Sequence, residues 1–288
     1  MSIVVTGATG ALGRLVVEEL LTRVPADRIA AVVRDAAKAA DLAERGIELR
    51  VADYDDPASL ARAFRAGDRV LLVSGNEIGR RIAQHTAVLT AARAAGVAQL
   101  AYTGILGGPE ADFELAAEHR ATERAILDSG IPYTFLRNGW YHENYTRDLT
   151  SHLERGALVG SAGEGRVASA ARADYAAAAA VVLTGEGHLN RAYELSGDAS
   201  WSLAEYAAEL SAQSGREVAY TELTPEAHRA VLTAAGLPEG FAAVFADVDA
   251  AIRRGRLGST DGDLARLIGR PTTPVSGAIA DALAAARR

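Results

Sequence analysis

The stretch Ser2-Ile3-Val4-Val5-Thr6-Gly7-Ala8-Thr9-Gly10-Ala11-Leu12-Gly13 runs from an apolar, strand-like segment straight into three glycines spaced GxxGxxG. Leu12, Leu15, Val16 and Leu20 then continue at helical spacing. A buried strand, a glycine-rich turn and a helix, in that order, make a dinucleotide-binding unit. The first glycine permits the tight turn, the second lets backbone approach a pyrophosphate, and the third lets helix pack close against strand. Unpaired amides at the helix start hold the anion. Gly7, Thr9, Gly10, Ala11, Leu12 and Gly13 are therefore the expected pyrophosphate contacts. The competing reading is a tight turn and nothing more, and the βα units that follow weigh against it.

Working outward, strand-like runs alternate with amphipathic stretches through the first half. Strands are expected at 2–6, 29–33, 48–52, 69–74, 99–103 and 134–138, with helices near 11–23, 35–45, 57–66, 79–95 and 114–129. Gly46, Gly96 and Gly130 each stand between a helix and an apolar strand, where a left-handed cap is needed. This alternation predicts an α/β fold, a Rossmann-type doubly wound parallel sheet covered on both faces. Beyond residue 138 the rhythm stops. A helix near 172–183 leads to a short strand at 193–196, and helices at 203–214, 225–235 and 275–285 with a strand at 217–221 form a smaller, mostly helical lobe. The expected division is 1–198 for the nucleotide domain and 199–288 for a lobe covering the strand ends, with residues about 139–171 extending into the second.

Composition narrows the function. The 288 residues are 49% hydrophobic and 23% charged, with a net charge of -7 and no basic tract, so phosphate polymers find no electrostatic footing. Nucleic-acid binding is not expected. The chain has no cysteine, which removes disulfides, thiolate nucleophiles and thiolate metal sites together. Its six histidines show no HExxH or similar ligand spacing, so no metal site is expected. Neither a secretory leader nor a membrane-length apolar run is visible, and a cytoplasmic protein is expected.

The end of the second strand reads the cofactor. An NAD site places an acidic residue there, whereas the 2′-phosphate of NADP needs a cation. This chain carries Arg34, with Lys38, its only lysine, four residues later. An arginine fork matches phosphate geometry, so NADPH is the expected cofactor. Asp35 turned inward toward a ribose hydroxyl, or a plain solvated charge pair, are the alternatives. Asp53 after the third strand suits the adenine, or is simply a loop carboxylate before Pro57.

Ligands of open parallel sheets lie beyond the carboxyl ends of the strands, so Ser74, Asn76, Thr103 and Asn138 should surround the nicotinamide and its ribose. None of the nine tyrosines has a lysine four residues later, so the phenol–lysine proton relay of common short-chain reductases is excluded by composition. His119, on one helical face with Glu123, could orient the ribose or supply a proton; a lone helical histidine is as readily structural. The densest aromatic and polar cluster, Arg137-Asn138-Gly139-Trp140-Tyr141-His142-Glu143-Asn144-Tyr145, follows a strand end. Flat rings beside amide and hydroxyl groups suit a planar, carbonyl-bearing acceptor. Asn144 and Tyr141 are the expected catalytic groups with His119, and Tyr141, Asn144, Tyr145 and Trp140 the expected acceptor contacts. A buried aromatic corner is the alternative. Phe113, Phe241 and Phe245 add an apolar wall or ordinary core.

These residues resemble the NmrA-like atypical short-chain dehydrogenase/reductases, and among them the bacterial NAD(P)H:quinone oxidoreductases. The likeness covers nearly the whole length. It is carried by 6–13, Val33-Arg34 with Lys38, Ala52-Asp53-Tyr54, Ala101-Tyr102-Thr103, Glu118-His119 with Thr122-Glu123, 136–145, Arg172-Ala173-Asp174-Tyr175, Tyr193-Glu194-Leu195 with Gly197, and Ile268-Gly269-Arg270-Pro271-Thr272. Where NmrA-like relatives often carry a lysine, this chain has His119, in agreement with the quinone reductase subgroup. The resemblance implies hydride passed from NADPH to a quinone-like small molecule in an interdomain pocket, without flavin. A quinone accepts hydride without strong acid catalysis, so loss of the tyrosine–lysine pair is tolerable. Beyond the small molecule, the one further partner expected is a second copy of the chain, as a homodimer. The main rival is a non-enzymatic NADP(H)-binding redox sensor of the NmrA-like type. A nucleotide-sugar epimerase needs the missing tyrosine–lysine pair.

Overall fold

The computed structural model describes residues 1–287. In chain order the elements are β1 (Ile3–Val5), α1 (Ala11–Leu21), β2 (Ile29–Val33), α2 (Ala40–Glu44), β3 (Glu48–Val51), α3 (Pro57–Ala63), β4 (Arg69–Leu72), α4 (Arg81–Ala95), β5 (Gln99–Ile105), α5 (Glu114–Ser129) and β6 (Tyr133–Asn138). There follow α6 (Glu143–Thr146), α7 (Leu149–Arg155), β7 (Ala157–Gly160), β8 (Arg166–Val167), α8 (Arg172–Thr184), β9 (Arg191–Leu195), β10 (Trp201–Ser202), α9 (Leu203–Ser214), β11 (Ala219–Glu222), α10 (Pro225–Ala234), α11 (Glu239–Arg253), α12 (Asp263–Ile268) and α13 (Val275–Ala286).

Seven strands form one sheet in the order β3-β2-β1-β4-β5-β6-β9, parallel from β3 to β6. The expected Rossmann-type α/β sheet is present. The order reverses direction at β1 and β4, which opens the crevice where such sheets bind ligands. Burial explains the continuous apolar strands: Val4, Val32, Val70, Leu72 and Leu100 pack into a core with Leu60 of α3, Val88 of α4 and Ile126 of α5. Their neighbours Val5, Ala31 and Leu71 point to the opposite face and are fully buried too.

The chain folds as two compact units. One comprises Met1–Pro109, Glu118–Asn138 and Ala173–Glu194, and holds the sheet. The other comprises Glu110–Ala117, Gly139–Arg172 and the chain from Leu195 onward. It is mainly helical, with two small strand pairs, β10-β8 and β11-β7. Its α9 begins with a capping box in which Ser202 and Glu205 satisfy each other's backbone N–H groups.

Three readings from the sequence are corrected. The helix expected over 35–45 is a 3-10 turn at Ala36–Ala39 followed by the short α2, because the Asp35 carboxylate caps the Ala37 N–H and winds the chain tightly. The strand expected at 217–221 lies at Ala219–Glu222, in register with β7. The helix α11 was not foreseen; it opens at Pro238 and buries Val244, Val248 and Ile252 despite Gly240 in its first turn. Among the described residues no helix is long and apolar enough to cross a membrane.

Candidate functional site: a nucleotide cradle and a polar cavity

In the first unit, β1 delivers the chain to Gly7, whose φ of +58° is the left-handed conformation that glycine adopts freely. The Gly10 N–H returns to the Gly7 carbonyl at 2.9 Å, closing the turn. A Cβ on Gly13 would lie 2.3 Å from the Gly7 oxygen, so α1 touches the turn backbone itself. Gly10 is the N-cap of α1, no side chain caps the helix, and its first turn carries no acidic residue. Gly7, Thr9, Gly10 and Ala11 are exposed and Leu12 and Gly13 buried. Uncapped amides at the positive end of an eleven-residue helix are what a pyrophosphate binds.

The turn is braced from behind. Thr6 Oγ1 donates to the Leu71 carbonyl at 3.0 Å, accepts the Val73 N–H at 3.0 Å, and lies 2.5 Å from the Tyr54 hydroxyl. Desolvation keeps that phenol in its neutral form, well above its ordinary pKa.

At the end of β2, Arg34 and Lys38 are exposed, and neither side chain forms an ion pair with a described residue. Asp35, whose carboxylate holds the Ala37 N–H at 2.9 Å, is committed to its own turn. Asp53 spends one carboxylate oxygen on the Asp55 N–H and its own N–H on Ser59 Oγ, each at 3.0 Å. Arg34 and Lys38 thus remain for an anion. The uncapped helix start, the close Gly13 approach and this cationic pair fit NADPH together.

At the carboxyl ends of β4 and β5, the Ser74 N–H donates to Thr103 Oγ1 at 2.9 Å. Gly75 is held twice by α4: its N–H donates to His85 Nε2 at 3.1 Å and its carbonyl accepts Arg81 Nε at 2.5 Å. Asn76 follows, exposed, while Asn138 at the end of β6 is buried. Neither His85 nor Arg81 was expected in this region. Their signal was Arg81 and His85 at i,i+4 on the helix after the strand end, which reads equally as an amphipathic face.

His119 is buried, with Nδ1 2.7 Å from the Tyr102 hydroxyl. Desolvation, with Arg81 and then His85 adding charge repulsion, lowers its pKa to about 3, so the ring is neutral at pH 7. At that pH it carries a single N–H and no imidazolium charge. Glu123 receives Arg137 in a fork, Nε to Oε1 at 2.9 Å and Nη2 to Oε2 at 2.8 Å, and Arg137 Nη1 reaches Glu194 at 2.7 Å. The Gly107 N–H completes the network on Glu194 at 2.8 Å.

In the second unit, the cluster after Gly139 divides. The Tyr141 ring lies under the Arg172 guanidinium at 4.8 Å, and His142 spends Nδ1 on Ser169 and Nε2 on the Thr273 carbonyl, both at 2.8 Å. Trp140, Asn144 and Tyr145 instead line a cavity of about 110 Å³, and Tyr141 does not. Phe245 lines it too and meets Trp140 edge to face at 6.2 Å. Phe113 is buried elsewhere and Phe241 is 41% exposed. His152, His228 and Asp249, which the sequence did not single out, join Arg147 and Asp148 in its polar lining. Among the described residues no cluster of histidine and carboxylate groups could hold a metal ion.

The family model of NAD(P)H-binding proteins matches residues 7–186. Quinone oxidoreductase 2 of Escherichia coli is 48% identical over 95% of this chain and 96% of its own. A structure of NADPH-dependent quinone oxidoreductase from Escherichia coli, complexed with NADPH, superposes with a TM-score of 0.95 at 47% identity, covering 98% of this chain and 99% of that one. The triphenylmethane reductase of Citrobacter sp., complexed with NADP(H), gives 0.94 at 43% identity over 98% of this chain and all of its own. With the glycine cradle in place and likeness running the full length, the chain belongs to the NAD(P)H-binding family, among its NmrA-like reductases.

Proposed function

We propose that this chain is an NADPH-dependent oxidoreductase that reduces a quinone, or a similarly planar conjugated small molecule, by two electrons and without flavin. The observation that carries it is the uncapped start of α1 with Arg34 and Lys38 unpaired at the end of β2. NADPH, when bound, supplies the hydride. Gly7, Thr9, Gly10, Ala11, Leu12 and Gly13 hold the pyrophosphate through backbone N–H groups, and Arg34 with Lys38 takes the 2′-phosphate. Asp53 is assigned to the adenine end, and Ser74, Asn76, Thr103 and Asn138 to the nicotinamide end, where Thr103, His85 and Arg81 fix the backbone. On the acceptor side, Trp140 and Tyr145 supply flat contact surface and Asn144 a hydrogen-bonding amide.

No residue need deliver a strong acid, because a quinone is electrophilic enough to take hydride when positioned. A neutral His119 is compatible with that economy. The relatives named above reduce quinones and triphenylmethane dyes by name, and a chain of 32% identity over 93% of this one, from Xenophilus azovorans, is an NAD(P)H azoreductase. These acceptor types share an extended conjugated system of aromatic or quinoid rings, which favours that feature over one functional group as the selection rule. Cysteine-free composition suits a reducing cytoplasmic setting, and the acidic net charge argues against nucleic-acid partners.

Steady-state NADPH oxidation with a panel of benzoquinones and naphthoquinones tests this. Turnover with several of them is expected. Tight NADPH binding with no turnover on any would make the chain a redox sensor instead.

A further inference from the structure

The cavity of the second unit differs from a packing defect in its chemistry. An empty core cavity is lined by hydrocarbon, whereas one that offers buried polar groups is built for water or a ligand. Here Trp140, Leu158, Leu232 and Phe245 supply one kind of wall, and Asn144, His152, His228 and Asp249, with Arg147 and Asp148, the other. His152 Nδ1 is buried with no hydrogen-bond partner. Its volume, about 110 Å³, approaches the roughly 150 Å³ of an engineered apolar cavity that admits benzene. The cavity is also partly open, so a ring can enter by one edge while the remainder of its molecule stays outside.

His228 gives that ring an anchor. Its Nδ1 lies 3.1 Å from Asp249 Oδ2 and 3.1 Å from Ser161 Oγ. The same Asp249 oxygen accepts the Ser161 N–H at 2.7 Å. A carboxylate oxygen that accepts the Ser161 N–H and faces Nδ1 requires a proton between them, since two lone pairs would otherwise meet. Nδ1 is therefore spoken for, and Nε2 is the atom left to act; no described residue is hydrogen-bonded to it. The arrangement is not that of a hydrolase. Ser161 and Asp249 both meet Nδ1, whereas a nucleophilic serine must sit on the nitrogen opposite the carboxylate. Buried, tautomer-fixed and directed by Asp249, the imidazole recognises an oxygen on an otherwise apolar ligand.

We propose that this cavity seats the ring end of the acceptor, a quinoid or phenolic ring whose oxygen meets His228 Nε2 while Trp140 and Phe245 flank its apolar faces and edges. This rests on the quinone-reductase reading and extends it by assigning His228 and Asp249 as specificity-determining residues. The ring oxygen distinguishes the ligand from plain hydrocarbon. Asn144 and His152 Nδ1 are further hydrogen-bonding groups in the same space. A larger conjugated acceptor presents one ring to the cavity and leaves the rest outside, in keeping with a site that sorts by its innermost ring.

The test uses the full chain and 1,4-hydroquinone, which needs no NADPH to bind, under anaerobic conditions, with benzene as the oxygen-free control. Binding is read from the imidazole ¹⁵N shifts of His228 and the indole signals of Trp140. Saturable binding of hydroquinone is expected, moving Nε2 of His228, with benzene weaker by about ten-fold, the worth of a hydrogen bond to a buried polar group. His228→Phe should weaken hydroquinone by a similar factor and spare benzene. Leu232→Phe, which fills the cavity from a partly exposed position, should exclude both, and its Tm reports that the fold survives. Asp249→Asn, whose amide oxygen can still accept the Ser161 N–H, should keep the fold but lose the hydroquinone preference.

Hydroquinone that leaves the His228 and Trp140 signals unmoved overturns the proposal, as does wild-type binding by both His228→Phe and Leu232→Phe. Quinone turnover with an unchanged KM in those two variants overturns it while leaving the reductase reading intact. Conversely, hydroquinone binding as described in a protein that oxidises no NADPH with any quinone upholds the ring site and removes the reductase reading instead.

Discussion

The imidazole of His85 accepts the backbone N–H of Gly75 at 3.1 Å, and its own Nδ1 lies 2.9 Å from Thr122 Oγ1. Thr122 gives its hydroxyl proton to the Glu118 carbonyl, so Nδ1 must be the protonated nitrogen and Nε2 the bare acceptor. Protonating Nε2 would break the Gly75 bond. Desolvation, aided by the nearby Arg81 charge, lowers the His85 pKa from 6.5 to about 4 and protects the neutral form. Between those two values the unfolded chain takes up a proton that the folded chain refuses, so stability falls as pH drops from 6.5 toward 4. His119 and His152, lowered to about 3 and about 4, push the same way. The Tm should therefore decline across this window, and His85→Gln, whose carbonyl can accept the same N–H, should flatten the decline. Parallel Tm profiles for the two proteins would contradict this account of the Gly75 bond.

Gly13→Ala tests the closeness of α1 to the turn. The added Cβ would sit 2.3 Å from the Gly7 carbonyl oxygen, 2.9 Å from its carbon and 3.0 Å from the Ala8 Cα, all backbone atoms that cannot swing aside. The helix start must move, and with it the amides offered to the pyrophosphate. A loss of NADPH affinity of at least about ten-fold is expected by calorimetry, together with a lower Tm from overpacking of about 1–3 kcal/mol. Unaltered affinity would mean that the turn is not the phosphate cradle.

Arg34→Ala addresses the choice between the two nicotinamide cofactors. Hydrogen bonds to charged groups are worth about 1.5–3 kcal/mol, so NADPH affinity should fall by roughly ten- to a hundred-fold. NADH, lacking the 2′-phosphate, should bind almost unchanged. Lys38→Ala should show the same selectivity with a smaller loss, because an ammonium makes a point contact where a guanidinium makes a fork. Equal losses for both cofactors would show that the residues support the loop rather than the phosphate.

The fold was legible where the code is local. Strand, glycine turn and helix at 2–21 are contiguous, and the strands of the parallel sheet are nearly unbroken apolar runs because both faces are buried. α11 escaped notice because the Gly236, Pro238 and Gly240 spacing reads as a turn, although Val244, Val248 and Ile252 carry the helical period. Roles that depend on distant partners were not legible. His228 acquires its orientation from Asp249 and Ser161, 67 positions away in the latter case, and Arg137 reaches Glu194 across 57. Nothing near these residues in the chain announces those pairings. Asn144 and Tyr141 lie three positions apart, yet only Asn144 lines the cavity, because the Tyr141–Ala170 bridge fixes the chain before α6 and Arg172 covers the tyrosine ring.

Gly108 and Arg137 offer the sharpest test of packing in the first unit. Gly108 has a φ of +45°, and a Cβ there would lie 2.2 Å from Arg137 Cζ and 2.3 Å from its Nε. The guanidinium cannot retreat, since Glu123 and Glu194 hold it through three hydrogen bonds at 2.7 to 2.9 Å. Gly108→Ala alone therefore carries two costs, backbone strain and displacement of a paired, partly buried charge. Arg137→Ala alone leaves Glu123 buried without its partner, a loss of about 3–5 kcal/mol. In the double variant the collision is gone, so Gly108→Ala adds only its backbone strain to the cost of Arg137→Ala. The two substitutions should thus be less than additive, with a coupling of about 0.5–3 kcal/mol in urea unfolding. Strict additivity would mean that alanine at 108 is tolerated or rejected for its φ alone, and that Arg137 yields more readily than its three hydrogen bonds imply.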